Sequence, residues 1–269
     1  MKNRVNLVKA AITEGRTAYG LAVQMNSPET VELAGAVGYD FVYIDCEHGS
    51  FYLEGAITLI RAAEASGITP FVRVPNHEPS FIMRVLDAGA MGVIVPQVSM
   101  ASEARVIVSA ARYLQGDNGG IRGACPGTRA TWHQTTSWQD FTAWSNANVS
   151  VVALLETEAA LANYEAIATV PGLDATMFGP FDYAHAAGYP GEPRHEAVQA
   201  KYRQVMATAQ RMGHPVVASL FSHEPADMTA ETADFVRAGA QILVAGADRR
   251  ILFHGMRSRL AAMRAAEKA

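Results

Sequence analysis

The chain has 269 residues, 49% hydrophobic and 18% charged, enough apolar content to bury the core of a compact soluble domain. A formal charge of −4 supplies no basic stripe for phosphate backbones, so a nucleic-acid role has little electrostatic support and the expected partners are small molecules or copies of the chain. Two cysteines, Cys46 and Cys125, make neither a disulfide framework nor a CxxC metal site, which suits a reducing cytoplasm.

Residues 1–20 lack the continuous apolar stretch of a signal peptide, and no run of ~18 apolar residues occurs anywhere, so neither export nor a membrane span is expected. Short β-branched runs then recur at 19–25, 41–45, 69–74, 92–98, 149–156, 175–180, 214–221 and 241–248. Most are apolar throughout, the pattern of strands covered on both faces of a parallel sheet. Helical patterns lie between them, at 27–38, 54–67, 78–89 and 101–114 among others. Ser27 before Pro28 and Glu29 reads as an N-cap with Pro at the first helical position, and Gly67, Gly89 and Gly239 sit where helix ends need positive φ.

Eight βα units in ~250 residues is the count of a (β/α)8 TIM barrel, here a single α/β domain over 1–269. A doubly wound sheet shares the repeat, but no GxGxxG follows the first run and the strand number favours the barrel. The segment 113–148 is longer than an ordinary connection and carries one predicted helix near 137–147. It reads either as a surface excursion or as a catalytic or oligomeric element.

Barrel enzymes take catalytic groups from the C-terminal ends of strands. The second run ends in Asp45, Cys46, Glu47 and His48, the third contains Arg73, the fifth ends in Glu156, and the sixth runs into Gly179, Pro180, Phe181 and Asp182. Glu156 and Asp182, one βα unit apart, put two carboxylates on neighbouring strand ends. Such a pair suits Mg²⁺ or Mn²⁺ and leaves positions open for a chelating 2-oxo acid. Taken singly, each reads more simply as a helix-capping or first-turn acid. His48 is a candidate base whose tautomer Asp45 would fix, set against the plainer reading of a packed loop histidine. Arg73, inside an apolar strand, requires a counter-charge, either a structural carboxylate or a developing enolate oxygen.

On these residues the chain resembles the HpcH/HpaI class II pyruvate aldolases, the 4-hydroxy-2-oxoheptanedioate aldolase-like family. GYDFVYIDCEH, PFVRVP, LDAGAMGVIVPQV, GIRG, LLET and FGPFDYAHAAGYPG follow in family order across most of the chain. The resemblance implies a phosphoenolpyruvate/pyruvate-type barrel whose last helix swaps between protomers, commonly in a homohexamer. It also implies reversible cleavage of a 4-hydroxy-2-oxo acid to pyruvate or hydroxypyruvate and an aldehyde, with divalent Mg, Mn or Co and no organic cofactor. Carried over, the metal carboxylates fall on Glu156 and Asp182, the base on His48 with Asp45 behind it, and the enolate-stabilising arginine on Arg73. Asp87 matches an acid that reaches a neighbouring subunit's site. The backbone at Gly179, Pro180 and Phe181 is expected to hold the 2-oxo acid carboxylate.

Three departures bear on substrate. Leu154 stands where a glutamine near the bound oxo acid is usual, Phe181 where a small residue is usual, and CPGTRATWH around Cys125 replaces a proline-rich loop start, so the acceptor aldehyde is expected to depend on 125–133. The only lysines, Lys2, Lys9, Lys201 and Lys268, avoid strand ends, which disfavours a Schiff-base aldolase. Two rivals remain: a citrate-synthase-like condensing enzyme of siderophore biosynthesis on the same fold, which Leu154 and Phe181 keep open, and a barrel that binds without catalysis.

Overall fold

The structure, a computed structural model, describes residues 4–133 and 137–267. Its first half runs α1 (Leu7–Thr13), β1 (Ala18–Val23), α2 (Pro28–Val37), β2 (Phe41–Asp45), α3 (Leu53–Ala65), β3 (Thr69–Arg73), α4 (Pro79–Asp87), β4 (Gly92–Val95) and α5 (Ala101–Ala111). After a long segment holding α6 (Trp138–Asn148) come β5 (Ser150–Leu155), α7 (Glu158–Ala162), α8 (Tyr164–Ala168), β6 (Ala175–Phe178) and α9 (Pro180–Ala186). The last part is α10 (Glu196–Met212), β7 (Val216–Ser219), α11 (Pro225–Arg237), β8 (Ile242–Ala247) and α12 (Asp248–Ala266).

All eight expected strands form, and they close in chain order into one parallel barrel. The apolar runs make sense once each strand is seen to have two dry faces. Phe41, Tyr43, Phe71, Ile94, Val152, Leu154 and Met177 point inward and fill the barrel, while their neighbours Val42, Ile44, Val72, Val93, Val151 and Leu155 pack outward under the helices. Small residues make room for the large ones: a Cβ on Gly20 would meet the Phe41 ring at 2.4 Å, and one on Gly92 the Phe71 ring at 2.6 Å. Helix α1 closes the lower end with Val8 and Ala11, and its cap Asn6 ties down the Met91 and Asn148 carbonyls.

The caps follow the sequence. Ser27 Oγ accepts from the Thr30 N–H, and Gly67, Gly89 and Gly239 have φ of +74°, +113° and +92°. Strands end earlier than their apolar runs, so Arg73 is the last residue of β3 and not its middle.

The segment 113–148 connects α5 to β5, which puts it at the N-terminal ends of the strands, opposite the usual catalytic face. Tyr113, Ala130 and Phe141, with Trp138 and Trp144, give it a small core of its own; its residues 134–136 lie outside those described. At the C-terminus, α12 leaves Phe253, Met256 and Met263 exposed. No helix among the described residues is long and apolar enough to cross a membrane.

Candidate active site

Period two, continued upward from the inward-facing layer, assembles the site. Above Tyr43 stands Asp45, above Phe71 stands Arg73, and above Leu154 stands Glu156. Asp45 and Arg73 are register partners on adjacent strands. Buried Asp45 takes Arg73 Nε on Oδ1 (2.9 Å) and Arg73 Nη2 on Oδ2 (2.5 Å). The same carboxylate accepts from Gln24 Nε2 (2.8 Å) and from the Glu47 and His48 backbone N–H groups (3.1 Å each). Burial alone raises the Asp45 carboxyl, but hydrogen bonding to Arg73 and its charge, then Gln24 and the His48 amide, bring it below the ordinary aspartate value.

This corrects one expectation. Asp45 does not orient the His48 imidazole; it pins the His48 backbone and pairs with Arg73, because its two oxygens are saturated by five closer donors. The imidazole projects into the cavity, more than half exposed, with Nε2 3.9 Å from Glu47 Oε2. Arg73 finds its counter-charge in structural carboxylates, Asp45 and also Glu47, whose Oε2 lies 3.1 Å from Nη1. That Glu47 oxygen is buried and, despite the close cation, lacks a well-aligned hydrogen bond.

Glu156 follows β5 and is almost wholly buried. One carboxylate oxygen, Oε2, accepts from the Gln97 N–H at 2.8 Å. Gln97 adopts φ +58° to make that bond, a left-handed conformation that non-glycine residues seldom take. Burial raises the Glu156 carboxyl, the Gln97 amide partly offsets this, and the negative charges of Asp182 and Glu47 push it further, to about 7. Asp182, exposed in the first turn of α9, faces the same space. Gly179 lies against Glu156 so tightly that a Cβ would sit 2.7 Å from Glu156 Cγ.

A second expectation also changes. The Gly179 N–H is spent on the Leu155 carbonyl (2.9 Å) and Pro180 has none, so only the Phe181 and Asp182 amides of this turn remain for a substrate carboxylate.

His48, Arg73, Leu154, Glu156, Gly179, Pro180, Phe181 and Asp182 line one cavity of about 870 Å³ at the C-terminal mouth of the barrel. Asp45 supports it from below. Asp87 is not brought there: at the far end of α4 it pairs with Arg122 at 2.7 Å. Residues 125–133 are likewise absent from the cavity wall of this chain, since their connection lies at the other end of the barrel. Glu47 went unassigned in the sequence although it stands two residues beyond Asp45, a signal that was available. Gln97 acts through its backbone and Asp248 through loop amides at Gln24 and Met25 (3.0 and 3.1 Å), so neither left a side-chain pattern to read.

The arrangement fits a hard cation. Among the described residues no three His, Cys, Asp or Glu side chains form a protein-only cage. What exists is an open set: Glu156 and Asp182, with Glu47 beside them, and a Glu156 carboxyl raised by its burial and then by the charges of Asp182 and Glu47.

Known proteins resemble the chain over most of its length. The sequence model of the family described as HpcH/HpaI aldolase/citrate lyase matches residues 18–255. A 4-hydroxy-2-oxovalerate aldolase from Novosphingobium aromaticivorans is 35% identical over 219 residues, 80% of each chain. A 5-keto-4-deoxy-D-glucarate aldolase from Klebsiella pneumoniae is 31% identical over 90% of this chain and 91% of its own. Among solved structures, the citrate synthase SbnG superposes with a TM-score of 0.84 at 29% identity, covering 97% of this chain and 98% of its own. With the closed barrel, the carboxylates at its mouth and a match across most of its length, the chain belongs to the HpcH/HpaI aldolase/citrate lyase family.

Proposed function

We propose that the protein is a divalent-metal-dependent class II aldolase that reversibly cleaves a 4-hydroxy-2-oxo acid to pyruvate, or hydroxypyruvate, and an aldehyde. The observation that carries this reading is the Glu156 carboxyl, buried beside two other carboxylates and raised to about 7, a charge arrangement made for a cation. Glu156 and Asp182 would hold Mg²⁺, Mn²⁺ or Co²⁺, which when bound supplies Lewis acidity towards the carbonyl and carboxylate of the 2-oxo acid.

The chain's own groups do the rest. In cleavage, His48 takes the proton of the 4-hydroxyl, the C3–C4 bond breaks, and its electron pair passes to C3 as the enolate of the 2-oxo acid. Arg73, locked by Asp45 and Glu47, presents its remaining N–H edge to the enolate oxygen without reorganising. Protonation at C3 then gives the 2-oxo acid. Leu154 supplies an apolar floor and Phe181 an aromatic wall. A catalytic part for Asp87 requires a neighbouring subunit, in keeping with a homohexamer in which α12 is exchanged; the exposed apolar stripe of α12 supports such an assembly. The two unpaired cysteines suit the cytoplasm.

Chelation tests the reading. EDTA should abolish retro-aldol cleavage and Mn²⁺, Mg²⁺ or Co²⁺ restore it, as followed by coupled detection of pyruvate; full turnover after exhaustive chelation would remove the metal from the mechanism. The likeness to a citrate synthase keeps one rival, separated by supplying oxaloacetate and acetyl-CoA instead of pyruvate and an aldehyde.

A further inference from the structure

Glu156 is aimed by a peptide that is itself held at its other end. The Pro96 carbonyl and the Gln97 N–H belong to one peptide unit, in the turn after β4. A trans peptide is planar, so its oxygen and its hydrogen point in opposite directions. The N–H donates to Glu156 Oε2 at 2.8 Å. The carbonyl oxygen lies 2.7 Å from Nε2 of His77, in the turn after β3. A carbonyl only accepts, so Nε2 carries the hydrogen and His77 is the donor. An unbroken line of hydrogen bonds therefore runs from imidazole to peptide to carboxylate, across the ends of three neighbouring strands, β3, β4 and β5.

Each part of that line is fixed in place. Residues 75–79, PNHEP, build a tight turn in which Asn76 Oδ1 accepts from the Glu78 N–H at 2.9 Å and Pro79 opens α4. Beyond the peptide, the Val98 N–H donates to the Leu154 carbonyl at 3.1 Å, Ser99 Oγ meets Thr157 Oγ1 at 2.8 Å, and Asn163 Nδ2 donates to the Ser99 carbonyl at 2.9 Å. Those contacts fasten the far side of the turn to residues on both sides of Glu156. On the near side, His77 is the one side chain that donates to the peptide among the described residues. Gln97 has φ +58°, a conformation that relaxes unless its surroundings hold it. Pro96 is buried, so bulk water does not stand in for a lost imidazole. A donor on the carbonyl also polarises the peptide and strengthens the bond made by its N–H.

We propose that His77 is a positioning residue for the metal-binding carboxylate. Through the 96–97 peptide it holds Glu156 Oε2 to one side, which leaves Oε1, bonded to no donor among the described residues, to the cation. This inference rests on the metal-dependent reading and adds to it a residue that lies outside the cavity wall.

Calorimetric titration of Mn²⁺ into the metal-stripped full-length protein at pH 8 tests this without turnover. His77→Phe keeps a ring and loses the donor, whereas His77→Gln loses the ring and keeps an N–H donor. Removing a contact that orients a metal ligand weakens binding about 10- to 100-fold, and His77 acts through one intervening peptide, so Kd for Mn²⁺ should rise about 10-fold in His77→Phe. His77→Gln should recover most of the affinity. If His77→Phe does not fold, His77→Met supplies the donor-free comparison. A His77 that served stability alone would lower the melting temperature of His77→Phe and leave Kd at the wild-type value. That result overturns the proposal while the metal-dependent aldolase stands, and so does equal weakening in His77→Phe and His77→Gln. Wild-type protein that binds no Mn²⁺ removes both.

Discussion

Glu156 is buried beside Asp182 and Glu47, and in the proposed metal-dependent reaction it would also have to be ionised to hold a cation. Its carboxyl, raised to about 7 from an ordinary 4.5, therefore favours folding below the unfolded value, and that contribution is lost as pH rises through about 7. Metal-free protein should accordingly be penalised at pH 8 by about 1–3 kcal/mol from this group, and Glu156→Gln should raise its melting temperature there while abolishing metal-dependent activity. Calorimetric Mn²⁺ titration at pH 6 should release close to one proton, and at pH 8 almost none; a release that does not vary with pH would count against the charge assignment. The residues of this centre stood out in the sequence because Asp45 and Arg73 end apolar strands, Glu156 directly follows one, and Asp182 lies in the helix turn just after another. The partners did not: nothing in the sequence states that Asp45 prefers Arg73 to the His48 ring, since both lie within reach and only three-dimensional register decides. Gln97 is harder still, as its contribution is a backbone N–H turned by a strained φ.

At the level of elements, strands were legible through their two-faced burial and helices through caps, including the helix expected near 137–147 (α6), whereas the packing of the rest of the segment 113–148 was not, because its order comes from contacts between residues far apart in it. Tyr113 packs edge-on against Phe141 and Trp138, and Arg122 lies over the Tyr113 ring at 4.4 Å. Phe141 is the fully buried centre of that cluster. Phe141→Ala should cost about 3–5 kcal/mol of stability by denaturant melt. It should also expose Arg122 and Arg129 to trypsin sooner than any site in the barrel; unchanged cleavage there would show that the segment is held by something other than this core.

For the whole molecule, the feature out of proportion is α12. A helix of 19 residues leaves Leu252, Phe253, Met256, Leu260 and Met263 exposed to water, more apolar surface than a lone helix carries without a partner. Leu252→Ser with Met256→Ser should shift the mass seen by light scattering from the proposed hexamer towards smaller species, with circular dichroism unchanged; an unaltered mass would mean the assembly forms elsewhere.

The root of α12 is gripped at both sides. Asp248 holds the Gln24 and Met25 amides, and Arg249 reaches the Gln24 carbonyl at 2.7 Å and, more loosely, that of His48. The helix is thus a lever ~28 Å long, rooted on the two loops that present Gln24, a partner of Asp45, and His48, the proposed general base. Whatever grasps its free end steadies that root, so turnover per chain should decline on dilution at the concentration where subunits part, before any barrel strand unravels.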